Sequence, residues 1–129
     1  MWWRFALAAV VFAKLMSAQP SQAQVLIESY TALLSEADHF NSSGVRLTTA
    51  AAIIRQDRAN FHRFGLRDRI DDSDRYFADA GNRATLERLL ERGQASPFII
   101  NRIVQSVVTI RVDIYRWGDG DFIRVTLLD

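Results

Sequence analysis

Two histidines and one awkwardly placed carboxylate are the residues whose chemistry asks for an explanation. His39 follows Asp38 in a turn-rich loop. Imidazole is the side chain that titrates naturally near neutrality, so a histidine beside a carboxylate can serve as a general base held in orientation. The carboxylate that stands out is Asp57. On a helical wheel of about 100° per residue, Ala50, Ile53, Ile54, Phe61 and Phe64 share one arc. Asp57 falls inside that arc, on the face that must seek the core. An ionised carboxylate there is costly unless it is paired or accepts several hydrogen bonds. It is either a structural tie to backbone N–H groups or an arginine, or an acid in a cleft with a raised pKa.

The stretch that positions these residues runs from Asp38 to Gly65. Asn41-Ser42-Ser43-Gly44 forms a tight turn, because Asn and Ser bond their own backbone and Gly accepts positive φ. The same Asn41 triplet matches a glycosylation acceptor, which matters only in a eukaryotic source. Phe40 is expected to tuck under the loop into the core. Thr48 or Thr49 is the expected N-cap of the helix, and Gly65 its stop. Arg55, Arg58 and His62 fall on the side predicted to face water.

Much chemistry is excluded by composition. The chain has no cysteine, which removes disulfides, thiol catalysis and thiolate metal sites. No phosphate-binding glycine loop, paired-histidine zinc motif or serine elbow occurs. Asp68, Asp71, Asp72 and Asp74 form an acidic run, but it lacks the glycine and final glutamate of a calcium loop. No metal and no cofactor is expected. Arg4 and Lys14 precede residue 24, so the formal charge of +1 for the whole chain becomes −1 without them. That balance does not suit nucleic acid, whose binding rests on excess positive charge.

Residues 1–23 have the order of a secretory leader: Arg4, an apolar run from Phe5 to Ala13, then Ser21-Gln22-Ala23 before a cut that leaves Gln24 first. A cut after Ala18 and an uncleaved membrane anchor are the alternatives; the apolar run is short for a span, which needs about 20 residues. The remainder, 24–129, reads as one compact domain with a periplasmic or secreted location, touching the membrane only during export.

Val25–Leu34 can be read as a strand, with Leu26, Tyr30, Ala32 and Leu34 on one face, or as a helix with Leu26, Tyr30, Leu33 and Leu34 in a stripe; β-branched residues near its start and a turn-rich successor favour the strand. Leu66–Asp74 reads as a solvated connection, followed by a helical turn at Asp74–Ala78 that Asp72 or Ser73 caps and that points Tyr76 and Phe77 inward. Arg83–Arg92 reads as a helix with Leu86, Leu89 and Leu90 buried, its arginines pairing with Glu87 and Glu91, and Gly93 ending it. Ser96-Pro97 opens another helix. Val108–Tyr115 and Phe122–Leu128 alternate as a hairpin about Asp119-Gly120, with Trp117 either an exposed binding aromatic or, the favoured reading, a lid over the hairpin end. The expected fold is α+β: a small antiparallel sheet of about three strands, with a C-terminal hairpin, against a central amphipathic helix and shorter helices. The expected function is a non-catalytic binding or accessory protein of the cell envelope, partnered by an envelope protein or component. The alternative is a small hydrolase or lyase using His39 with Asp57 or Asp38.

Overall fold

The computed structural model describes residues 23–129; the expected leader, 1–23, lies outside them but for its last residue. Strand β1 (Val25–Leu34) and strand β2 (Val108–Trp117) pair antiparallel, and β2 pairs with β3 (Gly120–Leu127) across the C-terminal hairpin. The spatial order β1-β2-β3 puts β2 in the centre. Helices α1 (Ala50–His62), α2 (Ala80–Ala84), α3 (Leu86–Gly93) and α4 (Pro97–Gln105) are inserted between β1 and the hairpin. This is the α+β arrangement that the periodicities predict.

Strand alternation decides the layers. Tyr30, Ala32 and Leu34 of β1 join Val108, Ile110, Val112, Ile114, Ile123 and Val125 on one buried face. The helices cover it with Ile53 and Ile54, Leu86, Leu89 and Leu90, and Ile103, while Phe77 packs edge-on to Tyr30. Burying each large apolar side chain contributes about 1.5–3 kcal/mol, which is what a disulfide-free domain has to rely on. Thr49 caps α1 by accepting from Ala52 N, and Ser96 caps α4 by accepting from Ile99 N, with Pro97 at the first turn.

Several local expectations give way to tertiary packing. The β1 register shifts between Leu26 and Glu28, so Leu26 leaves the core face and is exposed. Helix α1 ends at His62, before the wheel reaches Phe64, and Phe64 is 47 % exposed. Phe40 is half-buried rather than a core plug, with the Arg46 guanidinium over its ring. The two residues between paired Trp117 and Gly120 are Gly118 and Asp119, so the hairpin turns one residue earlier than the Asp119-Gly120 signal, using Gly118 at φ +62°. Trp117 stands 46 % exposed at the strand end rather than closed over it.

The helix expected at 83–92 is broken at Thr85 into α2 and α3. Arg83 is buried, not on the wet side, and donates through Nη1 to the carbonyls of Phe77 and Ala78. The positive φ at the end of α3 belongs to Gln94, not Gly93. Gly93 serves a different purpose: a Cβ there would lie 1.7 Å from the carbonyl oxygen of Ile123, so α3 meets β3 backbone to backbone. Gly93→Ala should therefore force the helix off the strand and lower stability by about 2 kcal/mol or more, read as a lower denaturant midpoint at unchanged slope.

Candidate functional site

The polar residues gather behind β1, on the shoulder of α1. Arg58 lies at about 80° on the wheel, just outside the apolar arc, where water was expected. Instead the 66–74 segment folds back over that shoulder, and Arg58 is 0 % exposed. Its Nε donates to Asp57 Oδ2 at 2.7 Å; its Nη1 donates to Asp74 Oδ1 at 2.8 Å and to the Asp72 carbonyl at 3.0 Å. The guanidinium sits between the Tyr30 and Phe61 rings, 4.3 and 4.6 Å from their centroids. Burial opposes its charge, but the attraction of and hydrogen bonds to the neighbouring Asp57 and Asp74 oxygens favour it, and its pKa stays above the usual arginine value.

Asp74 is the second hub. Its Oδ1 also meets His62 Nε2 at 2.7 Å, and its Oδ2 accepts from Phe77 N at 2.6 Å. Asp74 thus ties down the Tyr76–Ala78 turn from the residue before its N-cap, Arg75, which gives no side-chain cap bond; neither Asp72 nor Ser73 caps it. His62 accordingly leans into the cluster instead of facing water with the arginines. Asp71 and Asp72 have a separate task. β1 is an edge strand, and its outward N–H groups at Thr31 and Leu33 donate to Asp72 Oδ2 and Asp71 Oδ1, both at 2.9 Å. The Asp72 N–H returns to the Thr31 carbonyl at 2.8 Å. The acidic run, besides being the solvated connection expected (Leu66, Arg67, Arg69, Ile70, Asp72 and Ser73 are exposed), also covers an open sheet edge. Among the described residues, no three histidine, aspartate or glutamate side chains are grouped to hold a metal ion.

The three residues singled out from sequence are all buried, and they are not joined as a catalytic set. His39 is 3 % exposed. Its Nδ1 lies 2.7 Å from the Ser35 carbonyl and its Nε2 lies 2.8 Å from the Ile103 carbonyl. Both ring nitrogens are thus turned to backbone carbonyls within hydrogen-bond distance. Ile103 is in the last turn of α4, whose carbonyls lack helical partners; His39 and the Arg46 Nη2 bonded to the Val104 carbonyl together cap that end. Asp38 accepts at Oδ2 from the Ser35 N–H and hydroxyl, and at Oδ1 from Asn60 Nδ2 at 2.8 Å. No hydrogen bond runs from His39 to Asp38 or to Asp57.

Asp57 is 2 % exposed. Burial is the main cause that raises its carboxyl well above the ordinary value; the attraction of Arg58 opposes this, and the charge of Asp38 adds to it. Arg58, Asn60, Asp71, Asp72 and Asp74 are partners that sequence reasoning missed. The one available signal was the density of acids at 68–74 directly after a helix rich in arginine.

Open concavities lie elsewhere. A cavity of about 350 Å³ runs along α1 beside α2 and α3, with Arg55, Gln56, Arg63, Arg83 and Glu87 in its walls. A shallower one of about 580 Å³ has Ala50, Leu90, Ala95, Ile100 and Val104 in its lining; Thr49, Ala51 and Glu87 belong to both. His39 edges a small pocket of about 160 Å³ with Glu36 and Arg46, but neither Asp38 nor Asp57 lines it. No protein-family model, curated protein or solved structure matches this chain. The geometry is what its function has to be argued from.

Asp57→Ala should lower the unfolding free energy by about 3 kcal/mol, because it strips a buried guanidinium of one partner. The folded pKa of Asp57 exceeds its unfolded value near 3.9. The folded state therefore binds this proton first as the pH falls. The site's stabilising contribution grows as pH drops through the folded pKa, is complete below the unfolded one, and is lost as pH rises. In denaturant titrations across that window, the stability of the wild type relative to Asp57→Asn should increase toward acid pH; a constant difference would count against a raised folded value.

Proposed function

We propose that residues 24–129 form a non-catalytic binding or accessory domain of the cell envelope, delivered by the leader at 1–23. The observation that carries this reading is the commitment of both His39 ring nitrogens to backbone carbonyls at 2.7 and 2.8 Å. A general base needs a free lone pair within reach of a substrate proton. A hydrolase or lyase built on His39 with Asp57 or Asp38 would also need them in one cleft; the pocket beside His39 is lined by neither carboxylate. The histidine is spent on a helix end and the carboxylates on Arg58, Asn60 and Ser35.

The surfaces left for a partner are the concavities flanking α1, where Arg55 and Arg63 make no ion pair among the described residues. Arginines of this kind suit carboxylate groups, which points to an acidic segment of an envelope component.

A C-terminally tagged chain expressed in its own cells provides the test. The form recovered outside the cytoplasm should have the intact mass of residues 24–129. It should retain a defined envelope partner at micromolar concentration, and the doubly substituted Arg55→Glu, Arg63→Glu chain should lose that partner while unfolding normally. An intact leader on cytoplasmic protein, or no retained partner at micromolar concentration, would overturn the reading.

A further inference from the structure

At the end of the sheet away from His39, the β2–β3 hairpin tip meets α3 around a cavity of about 450 Å³. Arg88, Arg92 and Arg116 line it, together with Tyr76, Asn82 and Asp121. Two of these charges are already balanced. Asp121 Oδ1 accepts from Arg116 Nε at 3.1 Å, and Asp121 Oδ2 accepts from the Tyr76 hydroxyl at 2.9 Å and from Arg116 Nη2 at 3.4 Å. The Tyr76 proton is held there, and its pKa is pushed up to about 12 by burial first and by that bond second.

Arg88 and Arg92 make no ion pair of their own among the described residues, although the Arg92 charge joins Arg116 in favouring the Asp121 carboxylate. They stand four residues apart on α3, hence on one side of it. Helical spacing would let each pair with Glu87 or Glu91, yet no such ion pair forms, and neither arginine makes a hydrogen bond among the described residues. Asp119 is the one further acid in the lining, which leaves three guanidiniums against two carboxylates. Like charges at this spacing repel one another and destabilise the helix that carries them. Gly120 makes room for the arrangement. A Cβ at Gly120 would lie 1.8 Å from Arg92 Nη1 and 2.6 Å from Cζ, so the guanidinium rests directly on the hairpin backbone.

We propose that this cavity is a phosphate-binding site in which Arg88 and Arg92 clasp the terminal oxygens of a phosphate group, with Arg116 behind them. Each guanidinium offers a planar fork of N–H donors, and a tetrahedral oxyanion with three or more terminal oxygens can engage two forks at once, where a carboxylate has only two oxygens. The bound anion removes the repulsion between the two arginines. The site lies apart from the concavities along α1, and it holds or fails independently of the envelope-partner reading.

The test is thermal unfolding of the purified chain with inorganic phosphate against chloride at equal ionic strength, joined to amide chemical-shift mapping. Phosphate should raise Tm saturably at millimolar concentration, with shifts centred on Arg88, Arg92 and Gly120. Arg92→Gln and Gly120→Ala should each weaken binding at least tenfold, while Arg102→Gln, exposed on α4 outside these cavities, leaves it unchanged. Two further arms separate the sources of the phosphate. Tighter binding to phosphatidic acid vesicles than to glycerol 3-phosphate assigns a lipid headgroup, and equal binding of inorganic phosphate and glycerol 3-phosphate assigns a small soluble one. A phosphate effect no larger than that of chloride, or unchanged affinity in Arg92→Gln, would overturn the proposal.

Discussion

A guanidinium without access to water ties this fold together. Arg58 belongs to α1, its aromatic cover comes from β1 and α1, and its hydrogen-bond acceptors come from Asp57 and from the segment that follows the helix. Taking a charge out of water costs several kcal/mol even after relaxation, so it persists only where partners surround it. Here they do so asymmetrically. Nε and Nη1 are bonded, while Nη2 and the Tyr30 hydroxyl are buried without a hydrogen-bond partner. The stacked rings supply part of what those groups lose, because the aromatic face carries partial negative charge and a desolvated cation–π contact contributes about 2 kcal/mol. Burial also pushes the Tyr30 hydroxyl well above its usual pKa, so it stays neutral beside the cluster.

The second consequence concerns the sheet. A three-stranded sheet exposes two edges, and unpaired edges invite pairing with other chains. The segment that delivers Asp74 to Arg58 also lays Asp71 and Asp72 along β1, so one excursion of the chain satisfies a buried cation and closes an edge. Farther along, Glu28 Oε1 accepts from Arg75 N at 2.6 Å and holds the same excursion to the start of the strand. Residues that look like an acid–base constellation in the sequence are thus used for topology. Their bonds are directed inward, to Arg58, Asn60 and backbone groups.

How much was legible depended on the range of the determining interaction. The hairpin, the strand character of Val25–Leu34, the Thr49 and Ser96 caps and the apolar stripes of α1 and α3 follow from alternation, helical period and side-chain capping, which act within a few residues. The same helical period marks Asp57 as a residue that needs a partner, with an arginine among the options, yet it points Arg58 and His62 to water. A wheel defines directions around one helix; it holds no information on which neighbour lies in each direction. Arg58, on the shoulder of the arc, was decided by where residues 66–74 return. Arg83 was displaced for a similar reason, since carbonyls freed by the Tyr76–Ala78 turn needed a donor.

By itself, then, the sequence determined the α+β class, the hairpin, most of the apolar core positions in the strands and helices, and the absence of thiol chemistry. These are matters of local periodicity and composition, and they survive any change of neighbours. Only the tertiary structure decided that His39 is a helix cap, that Asp71, Asp72 and Asp74 bond backbone and guanidinium, and that Arg88 and Arg92 face a shared cavity. Each of those outcomes rests on a hydrogen bond, or the lack of one, between groups far apart in the chain. Such pairings are set by where whole elements pack, and a single sequence read along its length carries no term for that.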